Sequence, residues 1–510
     1  MKRDLCVVSL AAGLSLAGRF VAATRLEVFQ DEALYWWGAQ AKPLSFSPHP
    51  PATYLVVRLG AMVFGDTLLG LRAGSLVWGT AAIVLAYALG RDVYSARAGV
   101  WAAGFMAASP IFAAAGAATT PDGLLTALWL LFVWATWRGA AGGGAGWWGL
   151  GALALAAGLY TKYMMVLAPP ALLLALCGSP QERRALRTPG PWAALAVGVS
   201  LFAAQFLRWN VAHGWASLRY HLESRHAWSL SWKSGGQYVL GHLGALSPLL
   251  CALVIGALVC EARAWRRGSP RAAWVLAFGA MPILFFLPPS VFTASSLLRV
   301  QWDLVGYAVG TIAAGALMAG WGQGPPGRRW LRPLGIGALA LAGMLTGATL
   351  VGLVYPTATE ALGIRPLTLR RLGWRQLAAR VQDVKRETAA DFVVTDSFRT
   401  ALSLGYYSGQ RDGIHTLLDS ASKRYGLNEA LRSWRMDESH MVKERLGQSG
   451  LYVEEHTCVR RCNCGQEPER IGQFFRQVSR VEALPVFLEE RVLRCFRIYR
   501  VVELRPNVQP

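Results

Sequence analysis

Long apolar runs recur from residue 5 to residue 355 and then stop. A hydrocarbon core about 30 Å thick takes about 20 apolar residues per helix. Runs of that order lie near 5–23, 71–90, 98–116, 122–138, 147–160, 163–177, 191–209, 243–260, 272–288, 302–320 and 334–355. They predict an α-helical polytopic membrane protein with about eleven transmembrane helices. Segments 24–70 and 210–242 read as long loops carrying amphipathic stretches, with Tyr35, Trp36, Trp37, Trp215, Trp228 and Trp232 suited to a bilayer interface. Beyond Tyr355 charges become frequent, which places a domain boundary near residue 356. A helix over Leu372–Lys385 and strands over Asp391–Thr395 and Cys495–Glu503 predict a small α/β or α+β domain over 356–510.

Composition agrees. Hydrophobic residues make up 54% of the 510 and charged residues 16%, against about a quarter charged in soluble domains. Of 51 Lys and Arg, 25 lie in 356–510; of 30 Asp and Glu, 19 do, leaving 11 acids in the first 355 residues. The tail's basic residues are interleaved with acids, which excludes a basic nucleic-acid face. The N-terminal run follows Lys2 and Arg3 like a signal peptide, but Arg19 interrupts it and Val21-Ala22-Ala23-Thr24 is a poor cleavage site, so it is expected to remain as the first helix.

Basic residues also orient the bundle. Whether 147–177 is two short helices or one tilted helix decides every loop after it. With two, turning at Thr161-Lys162-Tyr163, short cytoplasmic connections collect fifteen Lys and Arg, among them Arg183, Arg184 and Arg187. The tail and both long loops are then extracytoplasmic.

The scarce acids are the candidates for chemistry. Asp4, Asp92, Glu182 and Glu261 sit beside arginines at predicted cytoplasmic ends; Glu27, Asp31, Glu32, Asp66, Asp122, Glu223 and Asp303 lie on the outer side. Asp31 reads equally as an N-cap of a helix 32–40 and as a working carboxylate. Asp122 follows Pro121, as a first-turn acid does, and Asp303 has Arg299 as an expected partner.

In order along the chain stand Asp31-Glu32-Ala33-Leu34-Tyr35-Trp36, His49-Pro50-Pro51, Arg58-Leu59-Gly60, Phe64-Gly65-Asp66 with Arg72, Pro121-Asp122, Thr161-Lys162-Tyr163, Asn210 with His213-Gly214-Trp215 and Ser217, Leu246-Ser247-Pro248, and Gln301-Trp302 with Tyr307. In the tail follow Gly373-Trp374 and Val393-Val394-Thr395-Asp396. This series resembles a bacterial branch of the GT-C superfamily of membrane glycosyltransferases, akin to the glycosyltransferase 39 (protein O-mannosyltransferase) and lipid A aminoarabinose transferase group. Pro48 stands where that family has an acid, and Gln301 where it has Asn; residues 440–510 match none of its blocks.

The resemblance implies transfer of a sugar from a polyprenyl-phosphate donor to a lipid, glycan or protein acceptor at the outer face of the cytoplasmic membrane. It makes Asp31 the general base, with Glu32 and Asp122 as supporting carboxylates. Lys162, Arg225, Arg299 and His49 are the donor-phosphate candidates. Asp303, Trp302, Tyr307 and His213 are the acceptor or structural set. A divalent metal stays open: His213, His221 and His226 share one loop without a strong zinc spacing. Cys458, Cys462, Cys464 and Cys495 fit two disulfides in an oxidising compartment, with a zinc site as the alternative. A lipid-linked sugar flippase and an inactive glycan-binding relative are the competing functions; no inverted repeat supports the first, and Pro48 keeps the second open.

Overall fold

The computed structural model describes residues 2–41, 45–224, 230–292, 300–320, 331–355, 357, 372–456, 469–488 and 491–505. These divide between two compact units: Met1–Thr24, His49–Trp209 and His226–Val351 form the first, and Arg25–Pro48, Asn210–Arg225 and Gly352–Pro510 the second.

The first unit is a bundle of apolar helices. Among the described residues seven helices are long and apolar enough to cross a membrane: Lys2–Arg25, Leu68–Val93, Pro121–Gly143, Pro189–Ala212, Pro248–Arg266, Pro270–Val291 and Leu331–Val354. Ala96–Ala108 and Pro110–Ala117 make an eighth if counted together, and Ala52–Phe64, Tyr163–Cys177 and Leu304–Met318 are shorter apolar helices. In hydrocarbon every backbone group must find its partner within the chain, and helices do that locally. Close approach comes from small residues: a Cβ on Gly90 would lie 2.9 Å from the Gly99 Cα, and one on Gly306 2.5 Å from the Gly279 carbonyl oxygen.

Each predicted apolar run is helical, with two corrections. The run 98–116 bends by 66° between Ala108 and Pro110; Pro110 lacks an N–H and starts a new helix. The run 243–260 is cut at Ser247, whose positive φ of 82° turns the chain. Helix Trp232–Leu246 ends there and Pro248–Arg266 begins with proline in its first turn, capped by the Ser247 hydroxyl accepting from the Leu250 N–H. Between helices Ala145–Thr161 and Tyr163–Leu167, Lys162 is extended (φ −157°, ψ 138°), so two separate helices replace one long one.

The second unit holds a five-stranded mixed sheet in the order β2-β1-β3-β5-β4. Its strands are β1 (Phe392–Thr395), β2 (Ile414–Thr416), β3 (Gly450–His456), β4 (Phe475–Leu488) and β5 (Arg491–Leu504). β1 runs parallel to both β2 and β3, whereas β5 is antiparallel to β3 and β4. Helix Trp374–Glu387 buries Trp374, Leu377, Ala378, Val381 and Val384, the spacing of one helical face. Gly373 before it has φ 93°, and a Cβ there would strike Val486 at 2.8 Å, so glycine is required twice over. Phe392, Val394, Tyr452, Phe475, Tyr499 and Val501 form the core over the sheet.

In β2, His415 is buried and accepts from Arg445 Nε at 3.3 Å. Burial and that guanidinium lower its pKa from 6.5 to about 4. The unfolded state then binds more protons across this window, so the stability His415 contributes above pH 6.5 is lost as pH falls towards 4. Asp396, raised by burial from 3.8 to about 8, acts oppositely: its contribution is full below 3.8 and lost as pH rises through 8. The difference between wild type and His415→Gln isolates the histidine. That difference is expected to shrink or reverse on going from pH 7 to about pH 4, read from denaturant unfolding of the tail in the full chain; a pH-independent difference refutes it.

Candidate active site

In the first unit, Pro121 and Asp122 open helix Pro121–Arg138. Proline at the first position removes no intrahelical bond, and an acid in the first turn meets the positive end of the helix dipole. Lys162, at the kink between helices, donates to Asp122 Oδ1 at 2.6 Å, with the side chains 8% and 12% exposed. Thr126 Oγ donates to the Asp122 carbonyl at 2.7 Å, and Thr119 Oγ donates to the Leu71 carbonyl, which ties the entry of the helix to Leu68–Val93. One residue on, the fully buried Arg72 donates to the Ala23 carbonyl at 2.7 Å, in the last turn of Lys2–Arg25. Sequence reasoning gave Asp122 and Lys162 separate roles; the structure joins them in one buried ion pair. His49 lies half-buried ahead of helix Ala52–Phe64.

Asp303, expected to pair with Arg299, is fully buried at the N-cap of Leu304–Met318. Arg299 lies outside the described residues, as does Arg225. Among the described residues Asp303 meets His242 Nε2 at 2.9 Å and accepts from the Tyr238 hydroxyl. His242 Nδ1 reaches the Tyr238 carbonyl at 2.8 Å, and the Tyr307 ring lies 4.8 Å from the imidazole. Trp302 packs against Phe286. Sequence reasoning missed Tyr238 and His242. Their signal was a polar pair four residues apart on an otherwise apolar helix end.

The second unit separates the acidic pair Asp31-Glu32. Helix Gln30–Gln40 starts two residues earlier than expected, with Phe29 at the N-cap. Glu32 is fully buried and its Oε2 accepts from the Phe29 N–H at 3.0 Å, the back-reaching half of a capping box. Asp31 is therefore not the N-cap. It stands at the second helical position with an exposed side chain.

In the same unit the block around His213 is a turn. Gly214 and Trp215 both have positive φ, the Trp215 N–H donates to the Asn210 carbonyl at 2.7 Å, and Ser217 Oγ donates to Asn210 Oδ1 at 2.8 Å. His221 lies 3.3 Å from the Pro48 carbonyl, and Ser47 Oγ donates to the Gly426 carbonyl at 2.7 Å. Among the described residues no three His, Cys, Asp or Glu side chains converge as a metal would require; His226 lies outside them.

A family model described as dolichyl-phosphate-mannose-protein mannosyltransferase matches residues 48–209. The lipid A galacturonosyltransferase RgtD of Rhizobium johnstonii is 24% identical over 396 residues, covering 74% of this chain and 77% of that one. Crystal structures of ArnT from Cupriavidus metallidurans, in the apo state and bound to undecaprenyl phosphate, share the fold with a TM-score of 0.66 at 15% identity, over 96% of this chain and 97% of theirs. The oligosaccharyltransferase of Archaeoglobus fulgidus matches at a TM-score of 0.54 and 10% identity, over 80% of this chain and 63% of its own. The chain thus shares the fold of the ArnT structures, and residues 48–209 match the mannosyltransferase family model.

Removing one member of a buried ion pair leaves the other charge unmatched, at a cost of about 3–5 kcal/mol. Lys162→Met and Asp122→Asn are each expected to lower the melting temperature in detergent, and the double variant to recover part of the loss. Additive losses in the double variant would show that the two groups do not form one unit.

Proposed function

We propose that the protein transfers a sugar from a polyprenyl-phosphate carrier to a hydroxyl acceptor, with Asp31 as general base. One observation carries the choice of base. Of two adjacent carboxylates, Glu32 is buried and bonded to its own helix start, whereas Asp31 is exposed at the same turn. A base has to reach the acceptor's proton, and of the two Asp31 is the exposed one.

The reaction balances simply. The acceptor oxygen bonds to the anomeric carbon as the bond from that carbon to the phosphate oxygen breaks. The proton passes to Asp31, and polyprenyl phosphate leaves with the electron pair. Phosphate needs no separate protonating acid, unlike the leaving group in a glycosidase with two working carboxylates. Fixed cations stabilise the departing charge. Lys162 suits this task because it is held in a buried position by Asp122, and an ammonium has three N–H donors, of which Asp122 takes one. The undecaprenyl phosphate in the ArnT structure and the galacturonosyltransferase activity in the name of RgtD support this donor class and favour a lipid acceptor.

The tail and the loops 24–70 and 210–242 are assigned to the outer, periplasmic side of the cell inner membrane. Cys495 is disulfide-bonded, which suits an oxidising compartment.

Asp31→Asn is expected to lower transfer by about 10²–10⁴-fold without loss of expression, because the side chain is exposed. The assay is transfer from labelled polyprenyl-phosphate sugars by the purified protein; wild-type turnover in the variant removes Asp31 from the base role. Lys162→Met is expected to raise the donor KM by at least about tenfold, the loss of one charge-assisted contact, and an unchanged donor KM sends the phosphate elsewhere.

A further inference from the structure

Helix Gln30–Gln40 has 11 residues. Isolated helices shorter than about 12–15 residues are marginal in water, so what it packs against sets its position. Residues 32–39 are all buried. Within the second unit they meet helix Phe398–Ser408 of the tail and its surroundings. The Val28 N–H, three residues ahead of Asp31, donates to the Tyr407 hydroxyl at 2.8 Å. The Trp37 indole donates to the Leu402 carbonyl at 3.1 Å, and its ring stacks on Trp434 at 6.3 Å. Trp36 meets Tyr406 edge-on at 5.5 Å, with the Arg411 guanidinium 5.6 Å from its ring.

Gly405 allows the contact. A Cβ there would lie 2.3 Å from Trp37 Cζ2 and 2.7 Å from Cε2. Carbon atoms pack at about 3.5–4.0 Å, so the smallest side chain drives the indole back by more than about 1 Å. The indole ring is rigid and hydrogen-bonded, so the displacement passes to the helix backbone. Two anchors therefore bracket Asp31: the Tyr407 hydroxyl before it and the Trp37–Gly405 contact after it.

We propose that the tail helix Phe398–Ser408, through Gly405 and Tyr407, is the positioning element for Asp31; this rests on the reading of Asp31 as the base. The soluble domain then serves turnover from behind the carboxylate, as well as any covering role it has.

The test is a double-mutant cycle on purified full-length protein. Gly405→Ala is expected to lower kcat about tenfold, within the range a displacement near 1 Å produces, with donor KM within about twofold. Tyr407→Phe, which removes one hydroxyl and little volume, is expected to lower kcat severalfold and covers the case in which Gly405→Ala fails to fold. In an Asp31→Asn background each substitution is expected to cost less than about twofold, because groups that act through one another are not additive. Equal losses in both backgrounds, or no loss in either, overturn the positioning role while leaving Asp31→Asn inactive and the base reading intact. An Asp31→Asn protein as active as wild type instead removes the base and, with it, anything positioned for it.

Discussion

A charge or strong dipole inside an apolar bundle must be matched by the protein itself, since no water is there to do it. In the first unit this constraint decides where the helices meet. Asp122 and Lys162 bring the start of one helix to the kink between two others. Arg72 ties its helix to the last turn of the first through a main-chain carbonyl. Asp303 gathers His242 and Tyr238 from a separate helix. Arg19 donates to the Ser15 carbonyl and to Thr80 Oγ, with Gly79 and Gly116 clearing room for its guanidinium. Each of these contacts ties a polar group to a segment distant in sequence or to the main chain, so each fixes register that greasy contacts alone leave loose.

The same constraint sorts the acids by role. Asp122 and Asp303 are buried and matched, and Glu32 is buried and bonded to its own helix start. Such carboxylates hold geometry: moving a proton on or off them breaks a contact the fold relies on. Asp31 differs in being exposed at the first turn of a helix whose residues 32–39 are buried.

The helices could be read from the sequence because apolar runs and basic loops are local signals. The split at Lys162 followed from charge balance and is present as an extended residue between two helices. What could not be read was mostly non-local. Nothing in the sequence links Lys162 to Asp122 across 40 residues, or His242 to Asp303 across 61. The helix start at Gln30 was misjudged because an acid looks like an N-cap, whereas here Glu32 reaches back from the third position to a Phe29 whose side chain cannot cap. Ser247-Pro248 is a local stop signal, but the apolar run continues through it and masks the break. Sequence texture also separated the tail from the loops, although residues 25–48 and 210–225 form one compact unit with 352–510.

That grouping bears on what the shared motif blocks are for. The block around His213 has its Asn and Ser bonded to each other and its Gly and Trp in the left-handed region, which is the wiring of a turn. Ser247 and Pro248 end one helix and begin the next. Glu32 staples a helix start, and Arg72 staples two helices. Many residues that carry the resemblance thus do structural work, in that each satisfies a backbone group or turns the chain at a place where loops meet helices. The reacting groups are then few, and the burden falls on how accurately they are held. With Asp31 as the proposed base on a short helix, whatever packs behind Trp36 and Trp37 belongs to the proposed machinery as much as the carboxylate does. In this chain that backing comes from sequence about 370 residues away, as the Trp37–Leu402 separation of 365 shows, which is why reading the chain segment by segment assigns the tail too small a part.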